Sequence, residues 1–171
     1  LPYILSGPTR LRIQAERDVN TQRIVAFSQY ISLWGQQRTI WVDGRAHPPD
    51  LAPHTWMGSS TGVWEGNTFV VRTTHIKQGW IRRNGVPQSD QVKTTERFSR
   101  HGDVLTYVIY IEDPVFLTEP IVRSRNFVKM SGVNEGNWIA ATPCEAAEET
   151  VSAPHAVPHY LPGENPLIAD A

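Results

Sequence analysis

The chain has 171 residues, with Lys+Arg 16 against Asp+Glu 17 and a formal net charge of -1. That length fits one domain around one core, not two. No basic run of the kind that neutralises phosphate backbones occurs, which argues against nucleic-acid binding, and no stretch approaches the ~20 apolar residues of a membrane-crossing helix.

Neither nucleic acid nor membrane insertion is therefore expected. Beginning at Leu1 without a leader, the chain is expected to be a mature or trimmed form. Cys144 is the only cysteine, so no intrachain disulfide and no cysteine-based zinc site can form. Six tryptophans and thirteen prolines imply large aromatic surfaces and irregular ends.

From the N-terminus, Arg10 to Arg17 alternates, with Leu11, Ile13 and Ala15 on one face, and suits a strand at a sheet edge. After a turn at Asp18 to Thr21, Arg23 to Trp34 is apolar or aromatic on both faces and reads as a central strand. Gly35 to Gln37 turns the chain into the next strand, Arg38 to Asp43. The glycine and prolines from Gly44 to Pro53 allow no regular ladder, so a surface loop is expected, with His47 and His54 at its ends. Thr61 to Trp64 and Thr68 to Ile76 flank Glu65-Gly66-Asn67 and read as a hairpin. In a regular second strand Phe69, Val71, Thr73 and His75 share a face.

Lys77 to Asp90 carries Trp80, Ile81, Arg82 and Arg83 before Asn84-Gly85, which fits either a lid over a pocket or a protruding hairpin whose tryptophan docks on the body. Gln91 to Arg100 and Asp103 to Glu112 form a tight hairpin at His101-Gly102, with Val92, Thr94, Glu96 and Phe98 on one face, and Val104, Thr106, Val108, Tyr110 and Glu112 on one face of the second strand. Phe116 to Lys129 adds a strand or two, with Ile121, Arg123, Arg125 and Phe127 together. Only Cys144 to Thr150 hints at helical periodicity. Seven or eight strands joined by tight turns predict an all-β antiparallel meander closing into a β-barrel, lipocalin-like in architecture. The domain is expected over residues 1–130, followed by an irregular Pro-rich C-terminal arm over 131–171 that wraps over the body or builds a homo-oligomer.

Five motifs carry a resemblance: DGRAHP (Asp43 to Pro48), HTWMG (His54 to Gly58), STGVWEGNTFVV (Ser60 to Val71), TERF (Thr95 to Phe98) and IEDP (Ile111 to Pro114). They resemble a group of uncharacterised exported bacterial proteins that read DGRxHP, TWMG and GxWEGDTLVV. The resemblance covers roughly Arg38 to Pro114 and extends weakly to His159 to Pro166. Asn67 departs from it, standing where the group has Asp. It implies an exported protein, periplasmic or secreted, and no activity.

Three functional readings follow. In the first, the shared faces bring His75, Glu96, Tyr110, Glu112, Arg123 and Arg125 together inside the barrel. Charges on an apolar face are costly unless paired, so such a group is either structural or poised over a ligand. His75 and Glu96 would then transfer protons, Tyr110 would donate, and Arg123 and Arg125 would hold an anionic intermediate. Trp56 and Trp80 would stack on the ligand, with Arg83 and His54 beside them. The reaction would be isomerisation, elimination or hydration of a small apolar or aromatic, possibly anionic, compound, with no cofactor.

In the second reading His47, His54, His75 and His101, with Asp43, ligate a metal. No HxH or HxxxH pair supports it, and Pro158 breaks any helix joining His155 to His159. In the third, the protein is a non-catalytic ligand-binding or assembly module. A nucleophile turn at GSSTG (Gly58 to Gly62) would need a helix after it, whereas a strand follows.

Overall fold

The computed structural model describes residues 1, 2, 5, 9–32, 35–82 and 85–130. Arg83, and the arm from Ser131 with Cys144, His155 and His159, lie outside the described residues.

Among the described residues ten strands form: β1 (Leu11–Arg17), β2 (Ile24–Ile31), β3 (Gln36–Trp41), β4 (Ser59–Glu65), β5 (Thr68–Thr74), β6 (Gly79–Arg82), β7 (Val86–Gln88), β8 (Lys93–His101), β9 (Val104–Glu112) and β10 (Ile121–Val128). Eight of them make one sheet in the order β1-β2-β3-β4-β5-β8-β9-β10, and β6 and β7 pair as a separate hairpin. The eight-stranded sheet is strongly curled into a half-barrel. Among the described residues β1 and β10 are its two edges, where the sequence predicts a closed barrel.

The meander is also interrupted. β3 and β4 run parallel, paired only at Ile40 with Ser60 and Trp41 with Thr61. Parallel neighbours cannot be joined by a tight turn, and here the proline-containing stretch between Trp41 and Ser59 supplies the crossover. All other ladders of the large sheet are antiparallel.

Residues directly opposite each other in a ladder share a face. The inner, concave face therefore carries Phe27 and Gln29 of β2, Arg38 and Ile40 of β3, Ser60 and Gly62 of β4, and Phe69, Val71 and Thr73 of β5. It continues with Thr94, Glu96 and Phe98 of β8, Tyr107, Ile109 and Ile111 of β9, and Arg123, Arg125 and Phe127 of β10. Ile31, Ile40, Phe69, Val71, Phe98, Tyr107, Ile109 and Ile111 form the core, joined by Leu1 and Leu5.

Aromatic rings cross this face from strand to strand. Centroid separations are 5.2 Å for Phe27–Phe69, 6.3 Å for Phe69–Phe98, 4.9 Å for Phe98–Tyr107 and 6.5 Å for Tyr107–Phe127. Spacings of this size suit tilted and edge-on ring contacts. Gly62 makes room for the series, since a Cβ there would sit 2.4 Å from the Phe69 ring.

The β6–β7 hairpin docks through Ile81, which is fully buried, and leaves Trp80 exposed. The tryptophan is therefore not the docking residue. Alternation along β6 turns the two side chains to opposite sides, and the branched aliphatic one belongs to the same core cluster as Ile76 and Val92.

Candidate functional site on the inner face

At the centre of the concave face a polar group is sealed among apolar neighbours. Arg38 Nη1 and Nη2 donate to Glu96 Oε1 at 2.8 Å and Oε2 at 2.6 Å, and Arg38 Nε donates to Gln29 Oε1 at 2.6 Å. Arg38 and Glu96 side chains are 2% and 0% exposed. The Tyr107 hydroxyl donates to Glu96 Oε2 at 3.2 Å. Ser60 and Thr73 share a hydrogen bond of 2.9 Å beneath the guanidinium, with longer contacts of 3.4 Å to Arg38 Nη1.

Two parallel bonds between a planar guanidinium and a carboxylate are the strongest form of ion pair, and burial removes the competition of water. Burial opposes the Arg38 charge, and Glu96 overcomes it, raising the guanidinium above its ordinary pKa. Burial and then the Glu96 charge push the Tyr107 hydroxyl well above the usual tyrosine range, so Tyr107 stays a hydrogen-bond donor.

Beside this group lies a cavity of about 140 Å³ lined by Leu5, Tyr107, Ile109, Arg123, Ser124 and Arg125. Arg123 Nε is buried without a hydrogen-bond partner, and so is Gln29 Nε2 elsewhere on the inner face. The middle of the concave face thus holds three arginines, Arg38, Arg123 and Arg125, and one carboxylate, Glu96.

Of the residues expected at the site, the fold brings Glu96, Arg123 and Arg125 to the inner face and sends others elsewhere. Tyr110 lies on the outer face opposite Thr95 and Val122, with Glu112 on the same side, and Tyr107 occupies the place assigned to Tyr110. The two-residue turn at Gly102 and Asp103 pairs His101 with Val104, which sets Glu96 opposite Ile109 and gives the odd-numbered residues of β9 the inner face.

His75 does not continue the face of Phe69, Val71 and Thr73. It follows the end of β5 with φ 56°, a left-handed conformation that swings the ring out of the strand alternation. Trp56 and Trp80 are both exposed, with Lys77 Nζ 5.4 Å from the Trp56 ring centre. Arg38, Gln29, Tyr107, Ser60 and Thr73 are the site residues that the sequence reading missed.

The histidines serve the crossover. His47 Nε2 lies 3.0 Å from Thr61 Oγ1, and His47 Nδ1 lies 3.2 Å from Thr74 Oγ1. His75 Nδ1 lies 2.8 Å from the same Thr74 oxygen, and its Nε2 reaches the Pro49 carbonyl at 3.0 Å. His54 Nδ1 meets the Ile76 carbonyl at 3.1 Å, with its ring centre 5.1 Å from that of His75. His101 sits apart, at the end of β8. Three of the four histidines considered as ligands therefore gather, but around a threonine and backbone carbonyls. Among the described residues no group of three His, Cys, Asp or Glu is arranged to hold a metal. Burial, then the facing His75 and Arg72, lower the His47 pKa from its ordinary 6.5.

The motif residues of DGRAHP and HTWMG are fastenings of this crossover. Asp43 grips Arg45, whose guanidinium lies 3.4 Å over the Trp41 ring, and Thr55 exchanges backbone hydrogen bonds with His75 and Lys77. Gly58 takes φ +70° where a Cβ would strike the Thr74 carbonyl oxygen at 2.5 Å. In TERF, Glu96 is the buried acid. In IEDP, Asp113 accepts from the Ser89 hydroxyl at 2.8 Å and the Val115 N–H at 2.9 Å, holding the β6–β7 segment to the end of β9.

Comparison with known protein families, with curated proteins and with solved structures returns no match.

Proposed function

We propose that the protein binds a small organic anion at the Arg123–Arg125 cavity of the inner face. The observation that carries this reading is Arg123 Nε, a buried donor without an acceptor, beside a second arginine and the Tyr107 ring. A buried donor left unpaired costs about 1–3 kcal/mol, and a carboxylate oxygen in the cavity would recover it. The neighbouring ion pair supports the reading in a second way. With Glu96 held by Arg38 at 2.6 Å, that carboxylate does not serve as the acceptor for Arg123 Nε, and a ligand carboxylate would be complementary to it.

Binding, not turnover, is the function proposed. His75 stands off the inner face, and the Glu96 oxygens are occupied by Arg38 and Tyr107. The exported, periplasmic or secreted setting belongs to the same proposal and rests on the motif resemblance alone.

Titration with butyrate and with butyramide, followed by NMR, tests the anion site. Butyrate is expected to shift resonances of β9 and β10, with butyramide at least about tenfold weaker, since hydrogen bonds to a charged group are worth ~1.5–3 kcal/mol. Arg123→Gln is expected to weaken butyrate by a similar factor while the circular dichroism spectrum is unchanged. Equal binding of acid and amide, or of butyrate by wild type and variant, would overturn the proposal.

A further inference from the structure

The cavity does not stand alone on the inner face. Because the half-barrel is open, its two edge strands face each other across a cleft of about 810 Å³, with residues 9–14 along β1 on one side and the end of β10 on the other. Its apolar wall includes Leu11, Ile13, Leu105 and Phe127, and Ile13 is 41% exposed there. In the β9–β10 ladder Leu105 lies opposite Phe127, and the next pair on the same face is Tyr107 opposite Arg125. The apolar wall of the cleft and the wall of the arginine cavity are thus consecutive rungs of one ladder, about 7 Å apart at the ordinary strand rise.

We propose that the anion held at Arg123 and Arg125 is the head of a single-chain amphiphile of the fatty-acid class, with its hydrocarbon chain lying in the seam between β1 and β10. The inference rests on the reading of the arginine cavity given above and adds the ligand's class and direction. Charge around the seam selects the sign. Arg10, Arg100 and Lys129 line the cleft with Asp103, whereas the whole chain has Lys+Arg 16 and Asp+Glu 17. Cations gathered at the approach to an apolar cleft raise the local concentration of anionic amphiphiles and exclude cationic ones. The chain would cover Ile13 and the Leu105–Phe127 rung, apolar surface that the fold leaves at the seam.

The test uses the full chain, titrated with dodecanoate below its micelle concentration, with dodecan-1-ol and with butyrate. One dodecanoate per chain is expected, about a hundredfold tighter than butyrate, because each methylene taken fully out of water adds about fourfold in affinity and covering about three or four of them supplies that factor. Ile13→Asp is expected to weaken dodecanoate about tenfold and leave butyrate unchanged, and Ile13→Thr, which keeps the branched strand residue, to act in the same direction more mildly. Arg123→Gln should weaken both acids. Dodecanoate no tighter than butyrate would overturn the seam assignment and leave the arginine cavity standing. Dodecanoate that binds as well to Arg123→Gln as to wild type, or no better than dodecan-1-ol, would overturn the head-in-cavity arrangement. If neither acid binds, both readings fall together.

Discussion

Arg38 and Glu96 are 58 positions apart in sequence and joined by two hydrogen bonds of 2.8 and 2.6 Å, in a place where neither side chain meets solvent. A buried pair of this kind is costly to break from one side and cheap to replace as a whole, because the penalty lies in the charge left behind. Glu96→Ala is expected to destabilise the fold by about 3–5 kcal/mol, and the double variant Arg38→Met/Glu96→Leu to recover most of that loss. Urea unfolding of the singles and the double decides it. A double variant as unstable as the sum of the singles would show that the pair is worth more than its desolvation.

Gly62 is a packing requirement. Its absent side chain is the space taken by the Phe69 ring, so Gly62→Ala must displace that ring from its place between Phe27 and Phe98. The expected cost is about 1–3 kcal/mol, read as a lower thermal midpoint, with a changed near-ultraviolet circular dichroism spectrum. Gly66, at the tip of the β4–β5 turn with open space around it, separates conformational from steric cost, because its φ is +59° and nothing lies near its Cβ. Gly66→Ala should cost less and leave the aromatic spectrum unchanged.

The His47 fastening makes stability depend on pH. With the folded pKa lowered from 6.5, the unfolded chain takes up the proton first as pH falls, so the contribution of His47 is complete above the unfolded value and is lost on descending through it. Urea midpoints are expected to fall between pH 7.5 and pH 5, and His47→Gln should flatten that slope. A variant with the wild-type slope would assign the dependence to other groups.

The β6–β7 hairpin gives a contrast between neighbours. Ile81→Ala, at a fully buried site, is expected to cost about 2–5 kcal/mol, whereas Trp80→Ser, at 59% exposure, should stay within about 0.5 kcal/mol. The same urea series measures both. A Trp80 variant as damaging as the Ile81 one would mean that the ring packs more closely than its exposure indicates.

Much of the strand order was legible because alternation and turn residues are local. The Thr68 to Thr74 strand, the hairpin at Gly102 and the inward face of Arg123 and Arg125 all follow from them. Two errors came from parity. Reading β9 through Val104, Thr106 and Tyr110 placed the wrong tyrosine beside Glu96, although counting across a two-residue turn puts Ile109 there and Tyr107 on the same face. Extending β5 by one residue gave His75 an inward direction that its positive φ removes. Arg38 was hidden for another reason. Its partner sits two strands beyond its nearest inter-strand neighbour, across the parallel crossover, and nothing in the local pattern of Arg38 to Trp41 announces so distant a carboxylate.

The parallel junction of β3 and β4 holds by two paired positions, where the β4–β5 ladder holds by seven. The sheet is consequently two panels, β1-β2-β3 and β4-β5-β8-β9-β10, hinged along a thin line. Arg38 belongs to the first panel and Glu96 to the second, so their ion pair is a cross-tie over the hinge. When the molecule opens short of complete unfolding, amide exchange should begin along that line, and the first event would be separation of the two panels rather than fraying of an edge.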